Sequence, residues 1–506
     1  MKTIFKIFAN AAVIGGLVAV AGCTKNFPEY NTDQYALRAE SPALIIPSMI
    51  ETMMYAQQNS SQMADQMVGS LGGYFTNVNR WQGANYDTFN VSDGWNTSVY
   101  DQAFQGVYSN YFKVEDLTDG EGHWFALAKL VKAASMMRVT DCYGPIPYSQ
   151  VKDGDMYVAY DSGEDVYRNI IDDLLSAADV LYQYSVQVGA SPIGTSDAIY
   201  SGNYANWAKL GVSMAMRAAM RAGFEDEFVR AMNSECGYID ENSENALLDP
   251  KSQGNPYQLA SSSWGDIRIN ASITDYMNGY NDPRMPFYFT AATDGDVTYQ
   301  GIRMGQAANF NKSSSAAFSQ PNFHTSTKLP VFVAAETQFL LAEAVLRGWI
   351  SGDAKTYYNN GIALSFDQWG AGSADAYISN TTAIPADHND FLNQTYTRST
   401  EVKIAWDAES TTDKHLEQII TQKWIANFPM GIEAWAEYRR TGYPELCESV
   451  STQEPNATIH SIKDYHRLRY PYTEASLNPA NYAAAVQALG GADHESTALF
   501  WQGKGI

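Results

Sequence analysis

The chain is poor in basic residues. Among its 506 residues, 33 are Lys or Arg and 56 are Asp or Glu, which gives a net charge of −23. A nucleic-acid-binding protein needs a basic surface to neutralise phosphates, and broad adhesion to anionic lipid headgroups needs one as well. We therefore expect no nucleic acid partner and no electrostatic attraction to an acidic polymer.

Cysteine and histidine are also scarce, with four and seven residues respectively. The sequence contains no CxxC pair and no HExxH segment, so it offers no spacing typical of a zinc or redox site. Cys142, Cys236 and Cys447 are far apart in the chain. Two of them could pair in an exported protein, although free buried thiols are the simpler interpretation.

No catalytic motif is evident either. Residues 211–215 (GVSMA) come nearest to a nucleophile elbow, but they lack the final glycine and lie within a predicted helix. Paired carboxylates arise by chance among 56 acids, so a surface glycoside hydrolase stays open as a less favoured alternative. The acid-rich turns 116–121 and 294–296 could hold a structural calcium, without the spacing of an EF-hand. We otherwise expect no catalytic residue, metal or cofactor.

What the sequence does contain is a short apolar leader. Lys2 and Lys6 precede the apolar run 7–21, which is too short to span a bilayer and ends in Val20-Ala21-Gly22-Cys23. Small residues before a cysteine form the bacterial lipobox. We predict a cleaved signal peptide (1–22), lipidation of Cys23, a polar flexible tether (23–40) and a single domain (41–506). No later run is apolar enough to be a membrane span.

Aromatic residues are abundant, with 33 Tyr, 21 Phe and 11 Trp. Between Gly72 and Asn96 they alternate with Gly, Asn and Asp without helical periodicity, which predicts a loop. Aromatic faces stack on sugar rings or flat side chains, and amides and carboxylates bond polar groups. About half of these rings should be core. The predicted ligand-binding residues, including a second contribution from opposing loops, are Asn79, Arg80, Trp81, Tyr86, Asp93, Trp95, Asn96, Trp264, Phe310 and Phe323.

Helical periodicity dominates the rest of the chain. An acidic capping box at 162–165 precedes one of the helices, and the residues at 342–358 resemble the packing positions of a tetratricopeptide hairpin. Long irregular stretches separate the helices and are expected to form functional surface. The predicted helical segments are 122–138, 161–181, 205–222, 337–347, 354–366 and 416–440, the last being one helix or two.

Several motifs, in the right order along nearly the whole chain, resemble those of the SusD/RagB family of lipoproteins. They are 141–148 (DCYGPIPY), 197–203 (DAIYSGN) with Trp207, 276–279 (YMNG) with 282–284 (DPR), 338–344 (QFLLAEA), and 422–444, from QKWIA to RRTGYP. Three places depart from the family pattern. Pro145 stands where Asp is usual, residues 209–213 differ, and the closing 499–501 is degraded. We expect Glu343, Glu433, Arg439 and Arg440 in these motifs to form buried ion pairs between helices.

The resemblance implies a mostly α fold, a SusD-like body built on tetratricopeptide-like helical hairpins with long irregular ligand-binding loops. It also implies a lipid-anchored protein on the outer face of the Gram-negative outer membrane. There the protein would act as the lid of a SusC-like TonB-dependent transporter and deliver glycans to it. The alternative is the same role with peptides, as in the RagB branch; we favour glycans modestly.

Overall fold

The structure, a computed structural model, describes residues 41–53, 68–79, 86–189, 193–306, 313, 315–450 and 458–506. The predicted signal peptide, Cys23 and the tether lie outside the described residues. Within them, the helices of eight or more residues are α1 (Pro42–Met53), α2 (Asp93–Ala103), α3 (Ser109–Thr118), α4 (Gly122–Tyr143), α5 (Gly163–Val188), α6 (Tyr204–Ala222), α7 (Glu225–Met232), α8 (Ala271–Tyr280), α9 (Ala334–Leu346), α10 (Ala354–Trp369), α11 (Thr412–Ala426), α12 (Gly431–Thr441) and α13 (Pro479–Leu489).

The strands are short and pair two by two. β1 (Phe75–Asn77) is antiparallel to β3 (Ile267–Ile269), and β2 (Ala246–Leu248) is antiparallel to β4 (Leu329–Phe332). β5 (His388–Asn389) pairs with β6 (Thr395–Tyr396) as a small hairpin. The first pair joins segments almost two hundred residues apart, with Phe75 opposite Ile269.

Most helices agree with the sequence pattern. The capping box is confirmed, because the Ser162 hydroxyl accepts a hydrogen bond from the Asp165 backbone N–H at the start of α5. The region 416–440 forms two helices, and Pro429, which lacks a backbone N–H, lies between them. α4 continues beyond the predicted end at Arg138 to Tyr143. Its last turn is buried on all sides, so its sequence carries no amphipathic stripe there.

The predicted loop from Gly72 to Asn96 is partly wrong. β1 lies within it, a single 3₁₀ turn spans Tyr86–Thr88, and α2 already begins at Asp93. The Ser92 side chain caps α2 by accepting from the Trp95 backbone N–H at 3.4 Å. The first turn of α2 consists mainly of polar and small residues after a capping serine, which hides the helical periodicity and explains the error.

Consecutive helices pack as hairpins. α4 packs on α5, α5 on α6, and α9 on α10, with α11 against α9 and α10. Gly211 of α6 permits one of these close approaches. A Cβ atom there would lie 3.0 Å from both Leu130 Cδ1 and the Leu174 carbonyl oxygen. The helical hairpins of the predicted fold class are therefore present.

Buried ion pairs link the helices. Arg440 Nη1 of α12 lies 2.6 Å from Glu343 Oε1 of α9, and Arg221 of α6 pairs with Glu433 of α12, as expected for these glutamates. Arg439 does not form the expected ion pair. Its guanidinium lies 3.5 Å from the Trp435 ring centroid and donates to the backbone carbonyls of Asp141 and His466. Burial lowers the pKa of Arg439 to about 10.

The three cysteines of the described region lie in the interior. Cys142, Cys236 and Cys447 are buried free thiols, which confirms the simpler interpretation. No described helix combines the length and the apolar composition needed to cross a bilayer.

Candidate functional site

The β1–β3 pair brings two of the predicted binding segments together. Just beyond the strands, the Val78 backbone N–H donates to the Asp266 carbonyl at 2.8 Å. The Asn79 side-chain amide donates to Asp266 Oδ1 at 3.1 Å. Asn79 therefore lies against the segment that carries Trp264, two residues before Asp266. We call the surface formed by Asn79, Trp264 and Asp266 the strand-end surface.

Trp264 is held on a tight turn. It follows the π turn Leu259–Ser263, and its backbone N–H donates to the Leu259 carbonyl at 2.9 Å. Asn255 caps the preceding turn by accepting from the Tyr257 backbone N–H at 2.9 Å. The indole is half-buried and packs against the core on one side. A half-exposed indole with a fixed backbone suits stacking against a ligand, because little side-chain entropy is lost on binding.

Asp87, in the second half of the predicted loop, is hydrogen-bonded to Asn77 at the end of β1. Its carboxylate accepts from the Asn77 backbone N–H at 2.8 Å and from the Asn77 amide at 2.6 Å. Residues 77 and 87 thereby fix both ends of the segment between them. Arg80 and Trp81, which that segment carries, lie outside the described residues, as does Phe310.

Asp93 and Trp95 lie on the first turn of α2. Asp93 is exposed, with its Oδ1 3.8 Å from Arg469 Nη2, and Trp95 is half-buried. Arg469 also lies 2.6 Å from Glu495 Oε1. Arg469 could not be predicted from the sequence as a neighbour of Asp93, because nothing in its local sequence relates it to a segment more than three hundred residues away.

Three predicted residues lie in the interior, where a ligand does not reach their side chains. Tyr86 is fully buried and its hydroxyl donates to the Trp95 carbonyl. Asn96 is buried, and its amide donates to the Arg469 carbonyl at 2.6 Å. Phe323 packs against the rings of Tyr257 and Phe428.

A buried cation lies beneath the strand-end surface. Arg268, in the middle of β3, is 5% exposed and donates to the backbone carbonyls of Ser315 and Ile267. Burial lowers the pKa of Arg268, and the nearby Asp266 carboxylate opposes that shift. Arg268 and Asp266 were both missed from sequence, because all three residues of β3 are buried and so short a strand shows no alternation.

A second polar cluster contains a cysteine, a histidine and an aspartate. His388 Nδ1 lies 3.0 Å from Asp275 Oδ1, and Cys447 Sγ lies 3.5 Å from Asp275 Oδ2. Burial raises the pKa of the Cys447 thiol to about 12. A nucleophilic cysteine needs a depressed pKa and access to solvent, and this buried thiol has neither. The cluster therefore holds the β5–β6 hairpin to α8 without the properties of a catalytic site.

No group of three or more His, Cys, Asp or Glu side chains that could hold a metal ion occurs among the described residues. The strand-end surface offers the indole face of Trp264 and the amide of Asn79, while the Asp266 carboxylate is 5% exposed and accepts from that amide. Such groups can stack on rings and bond hydroxyl or amide groups of a ligand. The arrangement suits binding more than bond cleavage.

Comparisons with known proteins identify the family. The sequence model described as "SusD-like: Susd and RagB outer membrane lipoprotein" matches residues 25–502. This chain belongs to the SusD-like family. The helical fold is accordingly the SusD fold. None of the curated proteins matches the sequence significantly.

Solved SusD-like structures match almost the full chain. A SusD homolog from Bacteroides uniformis is 32% identical, with a TM-score of 0.86 over 92% of this chain and 100% of that one. A SusD-like protein from Bacteroides thetaiotaomicron is 31% identical, with a TM-score of 0.87 over 91% and 99%. A chitin-binding SusD homolog from Flavobacterium johnsoniae is 31% identical, with a TM-score of 0.85 over 91% and 98%.

Proposed function

We propose that this protein is a cell-surface lipoprotein that binds oligosaccharides at the strand-end surface and takes no part in catalysis. The observation that carries the proposal is the half-buried Trp264 on a tight turn beside the Asn79–Asp266 hydrogen bond. The chitin-binding relative, 31% identical, supports a glycan as the ligand class. As the sequence predicts, we also propose that Arg80, Trp81, Asp93, Trp95 and Phe310 take part in ligand binding.

The ligand is tested by affinity electrophoresis against polysaccharides that include chitin derivatives, starch and xylan, with peptide mixtures in parallel. For a polysaccharide that retards the protein, Trp264→Ala should weaken binding by about tenfold or more, since aromatic stacking contributes ~1–3 kcal/mol. Trp349→Ala is a matched control. It removes another half-buried tryptophan, at the α9–α10 turn, and should leave affinity unchanged. If the protein binds peptides and none of the polysaccharides, the ligand is a peptide, as in the RagB-like alternative.

Turnover of a bound oligosaccharide would contradict the assignment as a binding protein. Release of shorter sugars, abolished by one carboxylate substitution, would instead indicate a surface glycoside hydrolase. Incubation of the protein with the oligosaccharides, followed by mass spectrometry of the products, measures this turnover.

We further propose that Cys23 is lipidated and that the protein is the lid of a SusC-like TonB-dependent transporter in the outer membrane. A lid needs a large permanent interface, of about 2,000 Å² or more. The complex should therefore co-purify in mild detergent from cells that express both proteins. Cys23→Ala should release the protein from outer membranes when the transporter is absent. Recovery of the wild type only as a free monomer would contradict its role as the lid of a transporter. Fractionation of Cys23→Ala with the outer membranes would contradict the lipidation of Cys23.

A further inference from the structure

A cavity of about 370 Å³ lies between α3, α4 and α5, on elements that take no part in the strand-end surface. The loop after Ile146, from Tyr148 to Asp153, forms one side of it. Its volume falls within the range of small-molecule sites. None of its lining residues belongs to the strand-end surface or to the first turn of α2.

The base of the cavity is an ordered polar cluster around Lys132. This side chain of α4 is 6% exposed, and its Nζ lies 2.8 Å from Asp173 Oδ2. The ammonium also lies over two rings, 4.4 Å from the Tyr148 centroid and 4.9 Å from that of Tyr111. The Tyr148 hydroxyl donates to the same Asp173 oxygen at 2.8 Å. Every group at the base is thus held in place by another.

Packing alone does not explain a lysine at this position. Burying an ammonium–carboxylate pair is often no more stabilising than a well-packed apolar residue of the same volume. The ammonium has three N–H donors, and among the described residues it forms an ion pair with one carboxylate, that of Asp173. Lys132 lines the cavity, so its remaining hydrogen-bonding capacity is available to a molecule placed there.

The walls add an apolar face and polar groups. Phe112 of α3 is half-buried, and its ring contacts those of Tyr108 and Tyr111. Asn169 of α5 contributes an amide on the opposite side. Glu115, Asp116, Asp153 and Lys152 also line the cavity.

The charges select the class of ligand. An anion would be repelled by four carboxylates, which outnumber the two lysines of the lining. They are those of Glu115, Asp116, Asp153 and Asp173. A cation would meet the ammonium of Lys132 at the base. A neutral molecule with many hydroxyls can donate to the carboxylates, accept from Lys132 and lay C–H groups on Phe112. We propose that this cavity is a second binding site, for a neutral sugar of one or two rings.

The test uses the full mature protein and a panel of neutral sugars: glucose, galactose, mannose, N-acetylglucosamine, maltose, cellobiose, lactose and chitobiose. Binding is measured by saturation-transfer NMR and by calorimetric titration. At least one sugar should bind the wild type. Phe112→Ala and Asn169→Leu, both at the cavity wall, should each weaken that binding at least tenfold.

Matched controls separate this site from the strand-end surface. Phe104→Ala removes another half-buried ring, stacked on Tyr100 and Tyr108, that does not line the cavity, and should leave affinity unchanged. Trp264→Ala should also leave it unchanged. Lys132→Met should abolish binding where it folds; the two wall variants decide the outcome where it does not.

Three results would overturn the inference: no sugar of the panel binds, the wall variants bind as the wild type does, or Trp264→Ala alone abolishes binding. In the last case the strand-end surface is the sugar site and the cavity is not. Binding of inorganic phosphate or of arginine amide with the same sensitivity to the wall variants would overturn the neutral class of ligand.

Discussion

The helical body and the segment around the β5–β6 hairpin both bury charged side chains, but they do so with different chemistry. We call this segment, residues 388–398, the loop region. In the body, Arg221 of α6 is fully buried between Asp141 of α4 and Glu433 of α12. In the loop region, His388 of the β5–β6 hairpin lies between Asp275 and Asp390. Arginine keeps its charge at every ordinary pH, whereas histidine titrates near neutrality. The body is therefore held by permanent charges. The loop region combines a permanent charge, Arg398 paired with Asp275 at 3.0 Å, with the pH-dependent charge of His388.

The pKa shifts in the two regions agree with this difference. Burial raises the pKa of Glu433, but Arg221 and Arg217 outweigh burial and hold it below its ordinary value. Burial lowers the pKa of His388, but the carboxylates of Asp275 and Asp390 outweigh burial and raise it to about 9. The contribution of Glu433 to the free energy of unfolding is therefore lost only as pH falls through its depressed pKa. Stability from His388 is lost as pH rises.

The largest effect is expected from breaking the ion pairs of the body. Arg221→Met leaves the buried Asp141 without its arginine and removes one of the three described cations around Glu433. It should lower the free energy of unfolding by ~3–5 kcal/mol, measured by urea denaturation. Arg230→Met is the control. Arg230 pairs with Asp172 at 2.6 Å, but its side chain is 48% exposed, so less than ~1 kcal/mol should be lost. Equal stability of the two variants would show that the buried cluster does not hold the helices together.

A smaller effect, confined to alkaline pH, is expected in the loop region. The pKa of His388 in the folded protein lies above its ordinary value of 6.5, so its stabilisation is complete below about pH 6.5. It should be lost as pH rises through about 9, with a decrease of about 3 kcal/mol in the free energy of unfolding.

Substitution of this histidine isolates its share of the pH dependence. His388→Leu should flatten the curve of unfolding free energy between pH 6.5 and 9. It should also lower stability at about pH 6, because Asp390 loses its partner and Asp275 keeps only its ion pair with Arg398 among the described residues. His324→Leu, at an exposed position, should keep the slope of the wild type. An unchanged slope in His388→Leu would mean that another group titrates in this range.

The smallest effects distinguish a tightly packed glycine from an open one. Gly211→Ala in α6 places a methyl group 3.0 Å from a backbone oxygen of α5 and should lower the unfolding free energy by ~1–3 kcal/mol. Gly94→Ala lies in α2, where no described atom comes within 4 Å of the added Cβ, and should raise it by ~0.5–1 kcal/mol. Thermal unfolding of both variants measures the contrast. An unchanged or increased free energy of unfolding in Gly211→Ala would mean that α5 and α6 do not pack closely at Gly211.

Much of the body could be predicted from local sequence. The apolar stripes, the Ser162 cap and the family motifs identify seven of the described helices from 122 onward. α7, α8 and α13 were not predicted, and α5 continues beyond its predicted end at Leu181 to Val188. The same motifs place Glu343, Glu433 and Arg440 in buried ion pairs. The end of α4 and the start of α2 were wrong, since a helix buried on all sides and a capped polar turn both lack amphipathic periodicity.

The candidate site could be predicted only in part. Composition directed attention to Asn79, Trp95 and Trp264, which lie at or near the surface. It could not separate them from Tyr86, Asn96 and Phe323, because an aromatic or amide residue in an irregular segment has the same local sequence whether it faces solvent or core. Arg80, Trp81 and Phe310, outside the described residues, stay predictions.

The sequence by itself determined the family and the mostly helical fold class, since these follow from local periodicity and from ordered motifs. Tertiary structure alone decided which residues meet. The β1–β3 pairing joins Asn79 to Asp266, and Asn96 bonds Arg469 across more than three hundred residues. The Lys132 cavity likewise exists only where α3, α4 and α5 converge. Such contacts depend on the packing of distant elements, and no local sequence pattern records them.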